Sequence, residues 1–157
     1  MKLLIIDCGR HVALVDDDMY EELASYKWRV SHNGYAFRHP RVDGTKQQMI
    51  YMHKVIMGDR PGYDIDHADG NKLNNVRDNL RFASRSQNNM NARPREGCSS
   101  QFKGVAWLRG CKRWWAYINK DGKRTSLGYF IDETDAARAY NAAAKNLFGE
   151  FARLNTI

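Results

Sequence analysis

The chain has 157 residues, 43% of them hydrophobic and 27% charged, with a formal net charge of +7. That is room for one ordinary domain or two small ones, and the composition is too apolar and too aromatic for a disordered tail. The opening apolar run, Leu3 to Ile6, stops at Asp7, short of what a signal peptide or a membrane-spanning helix requires, so no membrane partner is expected.

In chain order, His11 to Val15 alternates and predicts a strand. Asp16 to Tyr26 predicts a short helix, with acids crowding its N-terminus and Met19, Leu23 and Tyr26 as its buried stripe. Trp28-Val30 and Tyr35-Phe37 flank Asn33-Gly34, a hairpin signal, and Asp43-Gly44 offers a second turn. Met49 to Met57 reads as a long apolar strand. The aromatics of this half are assigned to the core. A short strand ends at Asp66-His67, a polar loop follows, Asn79 to Phe82 returns as a strand, and Ser84 caps a helix. Residues 91–100 carry Pro94, Gly97 and paired serines and read as a short basic linker. Beyond it, Phe102–Leu108, Arg113–Asn119 and Lys123–Phe130 predict three strands, with Asp121-Gly122 between the last two. A helix follows over about 134–147, capped by Asp132 and ended by Gly149, with Ala136, Tyr140, Ala143 and Leu147 on one face.

The positive charge is local. Over residues 92–131, Lys and Arg outnumber Asp and Glu by 9 to 2, while residues 1–91 carry 13 against 12. The same segment holds Trp107, Trp114 and Trp115. Basic residues among aromatics suit nucleic acid; from composition alone, a solvated basic face over a tryptophan core fits as well. Cys8, Cys98 and Cys111 are odd in number and form no Cys-x-x-Cys. A reducing, cytoplasmic location with no disulfide framework and no structural zinc is therefore expected.

Residues 63–91 spend Asp, His and Asn where a core would want apolar residues. Asp69, Gly70, Asn71, Asn74, Asn75 and Ser84 read as builders of turns and caps. Carboxylate and amide oxygens are hard ligands that suit Mg²⁺ or Mn²⁺. A neutral imidazole can take a proton from water, and an Asn carbonyl on its other nitrogen would fix the tautomer.

The combined spacing of Asp66-His67, Asn79 twelve residues after the His, and Asn88 on the following helix resembles the His-Asn-His homing endonucleases of phages and introns. The flanks Tyr51-Met-His-Lys-Val-Ile-Met57, Asp66-His-Ala-Asp-Gly-Asn71 and Asn79-Leu-Arg81 are similar too, and the likeness covers most of residues 5–92. The resemblance implies a ββα-metal nuclease module. In it Asp66 and Asn88 hold one divalent cation, His67 is the general base and Asn79 orients His67. His53 matches a family position read here as structural or phosphate-contacting; His11, His32 and His39 are given no chemistry.

Phe102-Lys-Gly-Val105, Trp114-Trp-Ala-Tyr-Ile118, Leu127-Gly-Tyr-Phe130 and Ala136-Ala-Arg-Ala-Tyr140 resemble the DNA-binding domain of plant ethylene-response factors, over about 101–155. In that family a three-stranded sheet enters the major groove. Period-two parity puts Trp114, Ala116, Ile118, Thr125, Leu127 and Tyr129 toward the helix, and Arg113, Trp115, Tyr117, Asn119, Arg124 and Ser126 outward. The family's contact positions fall on that outward set together with Lys103. Arg109 and Lys112 read as phosphate contacts, and Arg93 and Arg95 as linker contacts to the backbone. Ala106, Leu108 and Ser126 depart from the plant pattern, so its target sequence does not transfer.

The expected protein is α+β: a nuclease module over 1–92 with its ββα core at about 60–92, a basic linker at 93–100, and a sheet-plus-helix DNA-binding domain over 101–157. It would cut double-stranded DNA as a monomer, taking no small-molecule substrate, in the cytoplasm of a phage-infected bacterium. The alternatives are a DNA-binding regulator with an inactive nuclease module and an RNA-binding protein. The latter usually stacks unpaired bases, a signature missing from this sequence.

Overall fold

The computed structural model describes residues 1–40, 48–94 and 97–157. The turn expected at Asp43-Gly44 and the predicted contact Arg95 lie outside the described residues. Two compact units are present, Met1–Ala83 and Ser84–Ile157. From sequence alone the helix after Ser84 belongs with the first module; by packing it belongs to the second unit. Among the described residues, no helix is long and apolar enough to cross a membrane.

In the first unit, strand β1 (Lys2–Ile6) pairs antiparallel with β2 (His11–Val15). The sequence reading gives the run in β1 no element. Leu4, Ile6, Ala13 and Val15 bury one face of this hairpin while Leu3, Ile5 and Val12 stay exposed. Helix α1 (Tyr20–Ala24) follows a 3₁₀ turn and buries Leu23, but Tyr26 is exposed rather than part of a buried stripe. Strands β3 (Arg29–Val30), β4 (Ala36–Arg38) and β5 (Ile50–Tyr51) form a second antiparallel sheet.

The predicted strand over Met49–Met57 is corrected here: only Ile50–Tyr51 is extended, and Met52–Met57 is helix α2. A short apolar run fits a strand or a buried helix equally, and tertiary packing decides. Met52 and His53 are its buried residues, and Met52 joins Leu4, Ile6, Ala13, Val15, Leu23, Trp28 and Ala36 in the core.

Strands β6 (Asp64–His67) and β7 (Leu80–Ala83) form a hairpin in which Asp66 stands opposite Arg81 and His67 opposite Leu80. The long loop between them returns to β2. Leu14 N–H donates to the Leu73 carbonyl at 2.8 Å, and Asn75 N–H donates to the Leu14 carbonyl at 2.8 Å.

The second unit opens with helix α3 (Arg85–Asn91), closed at its start by a reciprocal cap between Ser84 and Gln87. Strands β8 (Val105–Leu108), β9 (Arg113–Lys120) and β10 (Lys123–Phe130) form an antiparallel sheet with β9 central. Helix α4 (Glu133–Phe148) packs on it, capped by Asp132 as expected. Its buried face is Ala136, Ala137, Tyr140, Ala144 and Phe148, whereas predicted Leu147 is 44% exposed. Small alanines let the helix approach closely. At Gly104, with φ of 73°, an added Cβ would lie 2.0 Å from Tyr140 Cδ2.

Parity holds along β9, where Ala116 and Ile118 are buried. It fails at the end of β10. The register shifts between Ser126 and Gly128, so Phe130 packs into the core and Tyr129 is 60% exposed. The extra residue of a bulge reverses the alternation beyond it, which corrects the inward placement of Tyr129. Gly128, at φ of 128°, supplies the conformation the bulge needs.

Candidate active site and nucleic-acid interface

Strand β6 delivers two buried polar residues in succession, Asp66 at 6% exposure and His67 at 4%. Burying such groups is costly unless they are paired. The Asp66 Oδ2 accepts from Arg81 Nη2 at 2.8 Å and Nε at 2.9 Å, across the hairpin. The guanidinium supplies the pairing that a buried carboxylate requires.

His67 Nε2 lies 3.4 Å from Asn75 Oδ1. An amide oxygen only accepts, so Nε2 carries the proton and Nδ1 holds the lone pair. Burial lowers the His67 pKa, with Lys72 lowering it further, against opposing contributions from the Asn75 bond and the Asp69 and Asp66 charges. The imidazole is therefore neutral at neutral pH. Around it stand Tyr35, with centroids 5.8 Å apart, and His53, edge-on at 5.3 Å. His53 stacks on Tyr51 at 5.4 Å with rings 12° from parallel. Burial, then the neighbouring His67 and Lys54, bring the His53 pKa down to about 4, and its Nδ1 has no hydrogen-bond partner.

The asparagine side chain bonded to the His67 ring is that of Asn75, and the Asn79 side chain bonds elsewhere. Asn79 Oδ1 accepts from Asp69 N–H at 3.0 Å, and its Nδ2 donates to Asp69 Oδ1 at 3.0 Å and to the Asn74 carbonyl at 2.8 Å. It thereby closes the loop that presents Asn75. Although burial pushes the Asp69 carboxyl up, bonds from Asn74, the Asn71 amide and Asn79 hold it below the usual range. Sequence reasoning passed over Asn75, Arg81, Tyr35 and Tyr51. Asn75 lies in the loop between β6 and β7, where neither the helix nor the strand period applies, so no sequence signal pointed to it.

Asp66 contributes one hard oxygen donor, and Asn88, the other expected ligand, stands on α3 in the second unit. Among the described residues, no three or more His, Cys, Asp or Glu side chains gather as a cation site. A carboxylate oxygen such as that of Asp66 suits a Mg²⁺-type ion, which completes its shell with water and phosphate.

On the second unit, the predicted outward residues of β9 and β10 form one cluster. Trp115 and Tyr117 rings lie 4.7 Å apart, and the Arg124 guanidinium sits 4.6 Å from the Tyr117 centroid. Trp115 Nε1 donates to Ser126 Oγ at 2.8 Å, and Arg124 Nε donates to Asn119 Oδ1 at 3.0 Å. Arg93, Arg109, Lys112 and Arg113 are exposed. Lys103 lies elsewhere, with its ammonium donating to carbonyls of α3 and the residue after its end.

A family model described as HNH endonuclease matches residues 51–90, the stretch that carries His53, Asp66, His67, Asn75, Asn79 and Asn88. An uncharacterized HNH endonuclease, L560, of Acanthamoeba polyphaga mimivirus is 34% identical over 146 residues, 92% of this chain and 75% of that protein. The chain belongs to the HNH endonuclease family. It is a DNA-cleaving hydrolase. Protein 3.8 of Escherichia phage T7 is also similar to this HNH endonuclease, 33% identical over 92 residues, 59% of the chain and 75% of that protein. The alignment with the mimivirus protein covers 92% of the chain, so it extends into the second unit. No solved structure matches.

Proposed function

We propose that this HNH endonuclease hydrolyses a phosphodiester of duplex DNA with His67 as general base, one divalent cation as cofactor and the sheet of the second unit as its DNA-holding surface. The observation that carries it is the buried, neutral His67 whose Nε2 proton is fixed by Asn75.

Nδ1 of His67 takes a proton from water, the water oxygen bonds to phosphorus, and the bond to the 3′ oxygen breaks. A general base of this kind contributes roughly 10²–10⁴-fold. Asn75 keeps the base tautomer, and Asn79 holds the loop that carries Asn75. Arg81 pairs with the Asp66 carboxylate across the hairpin. Asp66 and, by family resemblance, Asn88 would hold Mg²⁺ or Mn²⁺. When bound, that ion would neutralise charge on the phosphate and on the leaving oxygen. The family likeness supports a ββα-metal module, whose paired strands would be β6 and β7.

Arg113, Trp115, Tyr117, Asn119, Arg124 and Ser126 would face the major groove, as in the ethylene-response-factor domain that this half resembles. The Trp115–Tyr117–Arg124 cluster supports this, because stacked rings keep the arginine extended before DNA arrives. Arg93, Arg109 and Lys112 would contact phosphates. Lys103, engaged with α3, is left out of this face. A monomer has one such site and would nick one strand. A homing role would follow from the resemblance of Asp66-His67, Asn79 and Asn88 to phage and intron enzymes, and one similar protein comes from a bacteriophage.

The test is cleavage of supercoiled plasmid with Mg²⁺ or Mn²⁺ by the wild type and by His67→Ala. Nicked circles from the wild type and none from a variant that still binds DNA are expected. Equal cutting by both would sink the assignment of His67.

A further inference from the structure

In the first unit, several cations already have carboxylate partners. Arg81 pairs with Asp66 at 2.8 Å, Lys54 with Asp59 at 2.7 Å, and Arg77 with Asp18 at 2.7 Å. Lys72, exposed in the loop between β6 and β7, differs: among the described residues it forms no ion pair. Its ammonium donates instead to a neutral acceptor, the Asn33 carbonyl, at 2.7 Å, and lies 4.7 Å from the centroid of the Tyr35 ring. Tyr35 is the ring beside His67, with centroids 5.8 Å apart. The seat is rigid. Gly34 N–H donates to the Ser31 carbonyl at 2.8 Å, Ser31 N–H to the Tyr35 carbonyl at 2.9 Å, and Tyr35 N–H to Ser31 Oγ at 3.1 Å. These bonds close the turn between β3 and β4, and the Lys72 stem packs along it, Cδ being 3.7 Å from where a Cβ on Gly34 would stand. On the loop side, Leu73 is pinned to β2 by the bond from Leu14 N–H to its carbonyl. An ammonium has three protons, and Asn33 takes one, so the group keeps donors for a further acceptor. Its charge is also felt at the base, where it adds to burial in lowering the His67 pKa.

We propose that Lys72 is a phosphate-binding cation of the nuclease unit: seated on the β3–β4 turn beside Tyr35, its ammonium donates to a non-bridging oxygen of the phosphate attacked by the water that His67 activates. The inference rests on His67 being the general base. A phosphodiester is an anion, and an unpaired, partly desolvated ammonium beside the base is the complement it needs. Negative charge on the non-bridging oxygens grows as the water oxygen bonds to phosphorus, so the contact tightens toward the transition state and raises kcat. Losing one such donor costs about 10²–10³-fold in kcat. A ground-state contact of the same ammonium with a phosphate also contributes about 0.9 to the salt dependence of DNA capture.

The experiment measures nicking of supercoiled plasmid by the full chain with Mg²⁺ at several salt concentrations, for the wild type, Lys72→Gln, Lys72→Arg and His67→Ala. Glutamine keeps an N–H for the Asn33 carbonyl and removes the charge, and circular dichroism checks that the fold is kept. The expected result is a kcat lowered by about 10²-fold in Lys72→Gln and largely restored in Lys72→Arg. With it, the slope of log kcat/KM against log salt flattens by about 0.9 in Lys72→Gln alone. A residue that only braced the turn would leave that slope where it is. If His67→Ala is inactive while Lys72→Gln cuts like the wild type, or cuts slowly with an unchanged slope, the phosphate role is overturned and the base reading stands. If His67→Ala cuts as fast as the wild type, the base reading fails and this inference with it. Should Lys72→Gln not fold, Lys72→Met, which keeps the stem along the turn, is judged by the same two measurements.

Discussion

Nε2 of His67 and Oδ1 of Asn75 face one another 3.4 Å apart in a part of the first unit that solvent hardly reaches, Asn75 being fully buried. With the Asn75 carbonyl oxygen at Nε2, the proposed base is the other ring nitrogen, Nδ1, and the consequences are kinetic. Asn75→Ala leaves the ring unoriented, so turnover of supercoiled DNA falls about 10–100-fold with little change in DNA affinity. Asn75→Asp places a carboxylate beside the ring, which favours the imidazolium. The acid limb of its rate profile then moves to higher pH, checked by nicking rates across pH 5–9 at fixed metal. An unmoved limb would count against Asn75 as the partner of His67.

Stability is expected to fall in acid through the buried histidines. His53 is 8% exposed, and its pKa drops from 6.5 to about 4 on folding. The unfolded chain therefore binds more protons between those values, so stability is present above pH 6.5 and lost as pH falls toward 4. The loss from His53 alone is about 3 kcal/mol, and the lowered pKa of His67 acts in the same direction. His53→Phe removes one titrating group, and its melting temperature should vary less across this window than that of the wild type.

Arg113 and Arg124 test the sheet. Each phosphate contact contributes about 0.9 to the slope of log affinity against log salt. Replacing both with Ala should weaken binding and flatten that slope by roughly 1–2, measured by fluorescence anisotropy on duplex DNA at several salt concentrations. Unchanged affinity and slope would remove this face from the interface.

Gly104→Ala addresses the second unit's packing. A Cβ there would meet Tyr140 Cδ2 at 2.0 Å and the Tyr117 carbonyl at 2.6 Å, on backbone with φ of 73°. Overpacking and left-handed strain together cost about 2–5 kcal/mol, visible as a fall in thermal midpoint. A near-neutral result would mean that α4 can shift away from β8.

Local chemistry explains what was readable beforehand. The hairpin at Asn33-Gly34, the caps at Ser84 and Asp132, the strands β8 to β10 and the pair Asp66-His67 at a strand end all follow from turn residues, periodicity and short-range hydrogen bonding. Met52–Met57 reads as strand because four apolar residues, interrupted by His53 and Lys54, carry no decisive period, and Tyr129 reads as inward because a bulge is invisible to simple alternation.

By itself, then, the sequence determined the type of chemistry: an acid, a histidine and asparagines in HNH spacing, and a basic, aromatic sheet after them. Only the tertiary structure decided which asparagine side chain meets the His67 ring and which carbonyls take the Lys103 ammonium. Asn75 reaches His67 because its backbone is pinned to Leu14 on β2, some sixty residues earlier in the chain. Lys103 reaches α3 because Asn155, near the other end of the unit, holds its backbone. Both choices depend on hydrogen bonds between segments far apart in the chain, and neither spacing nor composition encodes such contacts locally.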